Sequence, residues 1–123
     1  MKIVYFSLTG NIKKFLEKTN ANNVIEIKND LIVNDKFILV TSTVGFGEIP
    51  SAVDVFLLNN HQNLIAVIGS GNRNWGIYFA NAAKIISKKY NVCNPLNFEL
   101  QGTKQDVERF KKIEKELYEL YRT

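Results

Sequence analysis

The feature that most constrains the fold is a regular alternation of short runs rich in β-branched and aromatic residues with longer segments of helical period. Five short runs predict β-strands, at residues 3–6, 24–27, 37–41, 64–68 and 96–100, of which 24–27 is the weakest and is expected at an edge of the sheet. Four segments repeat apolar residues every three or four positions and predict helices, at residues 11–18, 50–60, 75–90 and 107–120. Strands that alternate with helices predict a parallel sheet covered by helices on both faces.

In a chain of 123 residues, this pattern predicts an α/β fold with a doubly wound five-stranded parallel sheet of order 2-1-3-4-5. The polar connection at residues 29–35 is too short to link two domains, so we expect one domain over residues 1–123. Ligands of open α/β sheets bind beyond the carboxyl ends of the strands, where the winding direction reverses. The loops after strands one, three and four are therefore the first candidates for a site.

Composition excludes several other classes of function. The net charge of +4 is a mild basic excess that falls short of a nucleic-acid stripe, and no segment of the chain is a basic tail. Cys93 is the single cysteine, which excludes an internal disulfide and a thiolate-pair metal site; we expect it to pack. No signal-peptide pattern and no apolar run of about 18 residues is present. We therefore expect a cytoplasmic protein without a metal site and without a nucleic-acid or membrane partner.

The loop after strand one places two hydroxyls, a glycine and an amide directly before a helix: Ser7, Thr9, Gly10 and Asn11. Backbone N–H groups and the positive end of the helix dipole converge at such a position, and glycine lets the backbone approach a ligand closely. The loop therefore predicts a phosphate site that needs no lysine. An ordinary N-cap is the alternative interpretation, because Ser, Thr and Asn are common before helices.

The loop after strand three combines hydroxyl residues with two glycines that flank an aromatic residue. Its candidate residues are Thr41, Ser42, Thr43, Gly45, Phe46 and Gly47. Glycines at this position allow peptide groups to lie flat beside a planar ring. A simple turn, with Phe46 folded back on the core, remains the alternative.

The loop after strand four is rich in glycine and asparagine and contains the single tryptophan. Its candidate residues are Gly71, Asn72, Asn74, Trp75 and Gly76. An aromatic side chain beside loop N–H groups suits the isoalloxazine ring of a flavin, with Trp75 near the ring. The alternative is that Trp75 is a core residue at the start of a helix.

Four segments of the chain resemble the NrdI family, which are flavodoxin-like partners of class Ib ribonucleotide reductase. They are Ser7-x-Thr9-Gly10-Asn11, Gly45-Phe46-Gly47-x-x-Pro50, Gly71-Asn72-Arg73-Asn74-Trp75-Gly76 and Phe98-Glu99-Leu100-x-Gly102-Thr103. The resemblance implies a flavodoxin-like fold and bound FMN, with the phosphate on the first loop and the ring between the other two.

The resemblance also implies a role. Reduced FMN would react with dioxygen, and the resulting superoxide or peroxide would pass to the dimanganese small subunit of the reductase and generate its tyrosyl radical. A second, unidentified partner would reduce the flavin.

Two alternatives stay open. A general one-electron flavodoxin shares the fold and cofactor but usually carries an acidic docking face, which the net charge of +4 disfavours. A cofactor-free signalling receiver shares the topology but needs a phosphorylatable Asp at a strand end, where this chain has Ser7 and Thr41.

The charges of the three loops predict the redox behaviour of such a site. The loops contain one acid, Glu48, and one base, Arg73, and are therefore close to neutral. Because reduced flavin is anionic, neutral surroundings tolerate the second electron better than acidic ones. We therefore expect the two one-electron potentials to be less widely split than in an acidic flavodoxin.

Overall fold

The structure of the protein is a computed structural model that describes residues 1–122. A five-stranded parallel sheet has the order β2-β1-β3-β4-β5, which confirms the predicted topology. The strands are β1 Lys2–Phe6, β2 Val24–Glu26, β3 Phe37–Ser42, β4 Leu64–Gly71 and β5 Asn97–Glu99. The helices are α1 Asn11–Thr19, α2 Ser51–Asn60, α3 Asn81–Tyr90 and α4 Lys104–Tyr121.

The sheet has a core on each face because successive side chains of a strand point to opposite sides. Within β1, Ile3 and Tyr5 join one core and Val4 joins the other. All three side chains are buried, as expected for a strand hydrogen-bonded on both edges and covered on both faces.

The core under α1 and α4 is built around three aromatic rings. Phe15 of α1 stacks on Phe98 of β5 at 3.9 Å between ring centroids and meets Phe110 of α4 edge-on at 5.5 Å. Each of these rings is fully buried. They fix the positions of α1 and α4 against the sheet.

The opposite core lies under α2 and α3. Phe37 of β3 meets Phe56 of α2 edge-on at 5.5 Å, and Leu57 and Ile86 are buried beside them. The apolar repeat that predicted a helix over residues 50–60 therefore faces this core, with Val53, Phe56 and Leu57 buried.

The helix predicted from residue 75 begins later than expected. Arg73–Tyr78 instead forms a 3-10 segment, and α3 begins at Asn81. Gly76, at φ 57° and ψ −118°, has a backbone that a helix cannot contain, and Ala80 is left-handed at φ 53°. The segment before α3 therefore belongs to the loop after β4.

The strand β4 runs three residues further than predicted, through Gly71. Gly69 pairs with Thr41 on one side and Asn97 on the other. A Cβ on Gly69 would lie 2.8 Å from the Ala83 Cβ, so only glycine lets α3 pack here. The sequence pattern predicted that the strand ends before Gly69. In the structure Gly69 lies inside β4, because α3 packs so closely against the strand there that no side chain fits.

Two predicted packing residues are exposed instead. Leu120, expected on the apolar face of α4, is 72% exposed. An 18-residue helix is about 27 Å long, whereas five residues of strand span about 17 Å, so the last turns of α4 pass the sheet. Cys93 is also exposed, although its backbone forms an isolated parallel bridge with Ala66 of β4.

None of the helices within residues 1–122 combines the length and the apolar character that crossing a membrane requires.

Candidate functional site

The loops after β1, β3 and β4 meet at the carboxyl edge of the sheet and enclose a cleft of about 250 Å³. Eight of the fifteen predicted site residues line it. They are Thr9, Asn11, Ser42, Thr43, Gly45, Gly71, Asn72 and Trp75. The structure therefore brings together residues from all three predicted loops.

Seven predicted residues do not line the cleft: Ser7, Gly10, Thr41, Phe46, Gly47, Asn74 and Gly76. Most of them belong to the same loops as the lining residues and shape the backbone there. Thr41 differs, because it is fully buried within β3 and its hydroxyl donates to the carbonyl of Ser42 at 2.9 Å.

Four lining residues were not predicted: Leu8, Ser70, Tyr78 and Leu100. Ser70 belongs to the extension of β4 beyond its predicted end, as does the predicted site residue Gly71, and it reaches the cleft from the end of that strand. Leu100 comes from the loop after β5, and its carbonyl accepts a hydrogen bond from the Ser70 hydroxyl at 3.1 Å. Its left-handed backbone, at φ 53°, has no signal in the sequence.

The first loop is organised by Ser7. Its Oγ accepts hydrogen bonds from the N–H groups of Gly10, at 3.0 Å, and Ile12, at 3.3 Å. Gly10 itself is left-handed at φ 82°, which favours glycine. Ser7 therefore satisfies two N–H groups at the start of α1, as in the capping interpretation.

Other donors of the first loop remain available. Within residues 1–122, the N–H groups of Thr9 and Asn11 have no protein acceptor, and both residues line the cleft. A Cβ built on Gly10 meets no atom within 4 Å, so space adjoins the start of α1. Free N–H groups, open space and the positive helix end suit a phosphate.

The second loop forms a short hairpin. Val44 and Glu48 exchange two backbone hydrogen bonds, from Val44 N to Glu48 O at 3.0 Å and from Glu48 N to Val44 O at 2.7 Å. Gly45 and Gly47, between them, are left-handed at φ 52° and 93°. Phe46 at the tip is 72% exposed, so the interpretation that it folds back on the core is wrong.

The third loop is held by its own amide and by an ion pair. The Asn72 Oδ1 accepts from the N–H of Asn74 at 2.9 Å. Glu99 accepts from the backbone N–H of Arg73 at 3.1 Å, and its other oxygen lies 3.8 Å from the Arg73 Nε. The guanidinium also lies 4.3 Å from the ring centroid of Phe79. Arg73 thereby ties this loop to the end of β5.

Aromatic side chains of the second and third loops meet beside the cleft. Phe46 lies edge-on to Trp75 at 6.3 Å and to Tyr78 at 6.2 Å between ring centroids. Trp75 is 53% exposed, so the interpretation of Trp75 as a core residue is wrong. Aromatic faces beside backbone groups suit a planar heterocycle.

The carboxylate of Glu99 adds a negative charge to the site that was not counted from the three loops. Glu48 and Arg73 are both exposed, as loop residues, but Arg73 is paired with Glu99. The three groups sum to −1 instead of the zero expected from the loops alone. Within residues 1–122, no group of three or more His, Cys, Asp or Glu side chains is arranged to hold a metal.

An open parallel sheet of order 2-1-3-4-5, with hydroxyl- and glycine-rich loops meeting at its carboxyl edge, defines a flavodoxin-like α/β protein. A sequence model of the family described as NrdI flavodoxin-like matches residues 3–112. The chain therefore belongs to the NrdI flavodoxin-like family.

Solved structures support the same fold. Oxidised flavodoxin 2 from Bacillus cereus has a TM-score of 0.67 at 22% identity, over 98% of this chain and 100% of that one. A short-chain flavodoxin associated with a non-canonical PDU bacterial microcompartment has a TM-score of 0.68 at 20% identity, over 97% and 96%. Fusobacterium nucleatum flavodoxin bound to flavin mononucleotide has a TM-score of 0.59 at 16% identity, over 98% of both chains.

Proposed function

We propose that the protein binds FMN in the cleft and uses it for redox chemistry. The observation that carries this proposal is the meeting of three loops of complementary chemistry at one edge of the sheet. The first offers free N–H groups at a helix start, and the other two offer glycine backbone and aromatic side chains.

The phosphate would lie at the first loop. Thr9 and Asn11 would donate to its oxygens through their free N–H groups, and the α1 dipole would favour its charge. The hydroxyl of Ser7 would hold the turn in place through its bonds to Gly10 and Ile12.

The ring would lie between the second and third loops, along the cleft lined by Gly45, Gly71 and Trp75. Bound FMN accepts electrons and, once reduced, reduces dioxygen. The role of the protein is to hold the ring, to set its electrostatic surroundings and to leave one edge accessible to a partner.

The partner we propose is the dimanganese small subunit of a class Ib ribonucleotide reductase, which would receive superoxide or peroxide and form its tyrosyl radical. Membership of the NrdI family supports this choice. Two aromatic side chains beside the cleft offer an apolar docking surface, because Phe46 and Trp75 are 72% and 53% exposed. A separate flavin-reducing partner would supply the electrons, and we propose that all of this takes place in the cytoplasm.

The second candidate function is that of a general one-electron flavodoxin, which the flavodoxin structures of the same fold favour. The two candidates differ in what the reduced protein does to the small subunit. Reduced protein, manganese-loaded small subunit and oxygen should give tyrosyl radical, measured by electron paramagnetic resonance. Radical no more abundant than with an unrelated reduced flavodoxin would contradict the reductase role.

Binding of FMN is tested by a matched pair of substitutions. Gly10→Ala puts a side chain on a left-handed residue at the proposed phosphate site and should weaken FMN binding by about tenfold or more. Asn91→Ala keeps a comparable left-handed residue at the far end of α3, at φ 55°, and should leave FMN affinity unchanged. Fluorescence quenching of added FMN measures both. Wild-type protein that is colourless once excess FMN has been removed, and that does not quench added FMN, would contradict the proposed binding of FMN.

A further inference from the structure

Asn81 is a residue outside the three predicted loops that nevertheless holds one of them. It is the first residue of α3, and its Nδ2 donates to the carbonyl of Gly47 at 2.8 Å. The N–H of the same peptide group, that of Glu48, donates to Val44 at 2.7 Å. The peptide between Gly47 and Glu48 is therefore fixed at both of its polar ends.

The contact between the hairpin and α3 runs in both directions. Thr43, just before the hairpin, accepts a hydrogen bond on its Oγ1 from the N–H of Ala82 at 3.1 Å. A Cβ on Gly47 would lie 2.7 Å from Tyr78 and 2.8 Å from Asn81, so the two surfaces are in tight contact. Asn81 thus joins the second loop to the element that directly follows the third.

The tip of the hairpin contrasts with its base. Among residues 1–122, the N–H groups of Phe46 and Gly47 have no protein acceptor. A rigid base with uncommitted groups at the tip is a pre-organised arrangement, which lowers the ordering cost of binding a ligand.

We propose that Asn81 is a positioning residue: its amide holds the base of the hairpin and thereby keeps Gly45, the hairpin residue that lines the cleft, in place beside the bound ring. This inference rests on the proposed binding of FMN. Asn81 does not line the cleft and acts through Gly47, so its effect on affinity is indirect.

Two substitutions of Asn81 test the proposal. Asn81→Ala removes the donor, and Asn81→Asp keeps the size of the side chain but, when ionised, cannot donate to a carbonyl. Asn60→Ala is the matched control, because Asn60 also holds a loop through its amide, which donates to the carbonyl of Leu31. Asn60 is the last residue of α2, whereas the hairpin precedes the first residue of that helix.

Two measurements are made on each variant. Amide hydrogen exchange of Glu48 is followed in the flavin-free protein, and the dissociation constant of FMN is measured by fluorescence quenching. We expect both Asn81 variants to raise the exchange rate of Glu48 and the dissociation constant of FMN by about tenfold, because each variant loses one hydrogen bond and one such bond corresponds to roughly a factor of ten. Asn60→Ala should lower the free energy of unfolding with neither change.

Unchanged Glu48 exchange in both Asn81 variants would overturn the anchoring role. Faster exchange with unchanged FMN affinity would overturn the positioning role. Failure of the proposed function is recognised separately, because wild-type protein would then bind no FMN while its Glu48 exchange remained measurable.

Discussion

Single amide side chains hold the irregular segments of this molecule. Asn60 is only 1% exposed, and its amide group bonds to the carbonyls of Leu31 and Phe56 and to the N–H of Val33. Asn94, before β5, and Asn97, within β5, exchange side-chain hydrogen bonds, and the Asn94 amide also donates to the carbonyl of Val67. Leu31 and Val33 belong to no strand or helix, so removal of the Asn60 amide leaves their backbone groups unpaired.

Glu114 of α4 is a residue at which charge and burial conflict. Partial burial raises the pKa of its carboxyl above the usual range, and the positive N-terminus of the chain offsets this in part. The folded protein therefore binds this proton more tightly than the unfolded chain does. Proton binding at Glu114 stabilises the fold below the usual pKa of a glutamate, and this stabilisation is lost as the pH rises through the raised pKa.

Glu114→Gln should remove this penalty at neutral pH. We expect the free energy of unfolding to rise at pH 7, by only about a few tenths of a kcal/mol because water screens this partly exposed carboxyl, with no gain near pH 4. Urea unfolding at both pH values measures it, with exposed Glu116→Gln as control. A gain at pH 4 equal to that at pH 7 would contradict the explanation.

At the scale of elements, the helix starts differ in how they are capped. α4 begins with a capping box, in which the Thr103 hydroxyl accepts from the N–H of Asp106 and the Asp106 carboxylate accepts from the N–H of Thr103. α1 instead begins at a left-handed Gly10 without a side-chain cap at that residue. Thr103 and Asp106 of the complete cap do not line the cleft, whereas the start of α1 keeps N–H groups free beside it.

Thr103→Ala should therefore destabilise the protein without affecting the site. We expect the free energy of unfolding to fall by about 1 kcal/mol, the usual cost of removing an N-cap. Gln105→Ala, in the same first turn and exposed, should change it little. Urea midpoints measure both, and equal effects of the two substitutions would show that the cap is not the cause.

At the scale of the whole molecule, folding changes the charge balance of the site. Glu99 is 26 residues from Arg73 in sequence, yet its carboxylate contacts both the backbone and the side chain of that residue. The acid therefore adds negative charge near the proposed ring, which works against the easy second reduction expected from the loop charges alone.

Glu99→Gln should raise the potential of the second one-electron couple of bound FMN. Removal of one partly exposed charge beside the site, in a mainly aqueous medium, changes a potential by about a few tens of millivolts. Gln retains an oxygen that can accept from the Arg73 N–H. Redox titration measures the shift, with Glu116→Gln of α4 as control. A shift equal in both variants would argue against a local effect of Glu99.

The sequence by itself determined the elements and their order. Periodicity is a local property, so β-branched runs and three- and four-residue repeats predicted five strands, four helices and the sheet order. It also predicted which loops meet, because parallel strands all end at the same edge. Glycines in strand β4 and at residue 76 misled the prediction, since a glycine does not show whether it ends an element or permits close packing.

Tertiary structure decided the contacts between segments that are distant in the chain. The bond from Asn81 to Gly47 spans 34 residues, and that from Ser70 to Leu100 spans 30. Neither Asn81 nor Leu100 lies in a local sequence pattern that indicates its distant partner. Such pairs form only when strands pair and helices pack on the sheet, so the finished cleft follows from packing that local pattern does not contain.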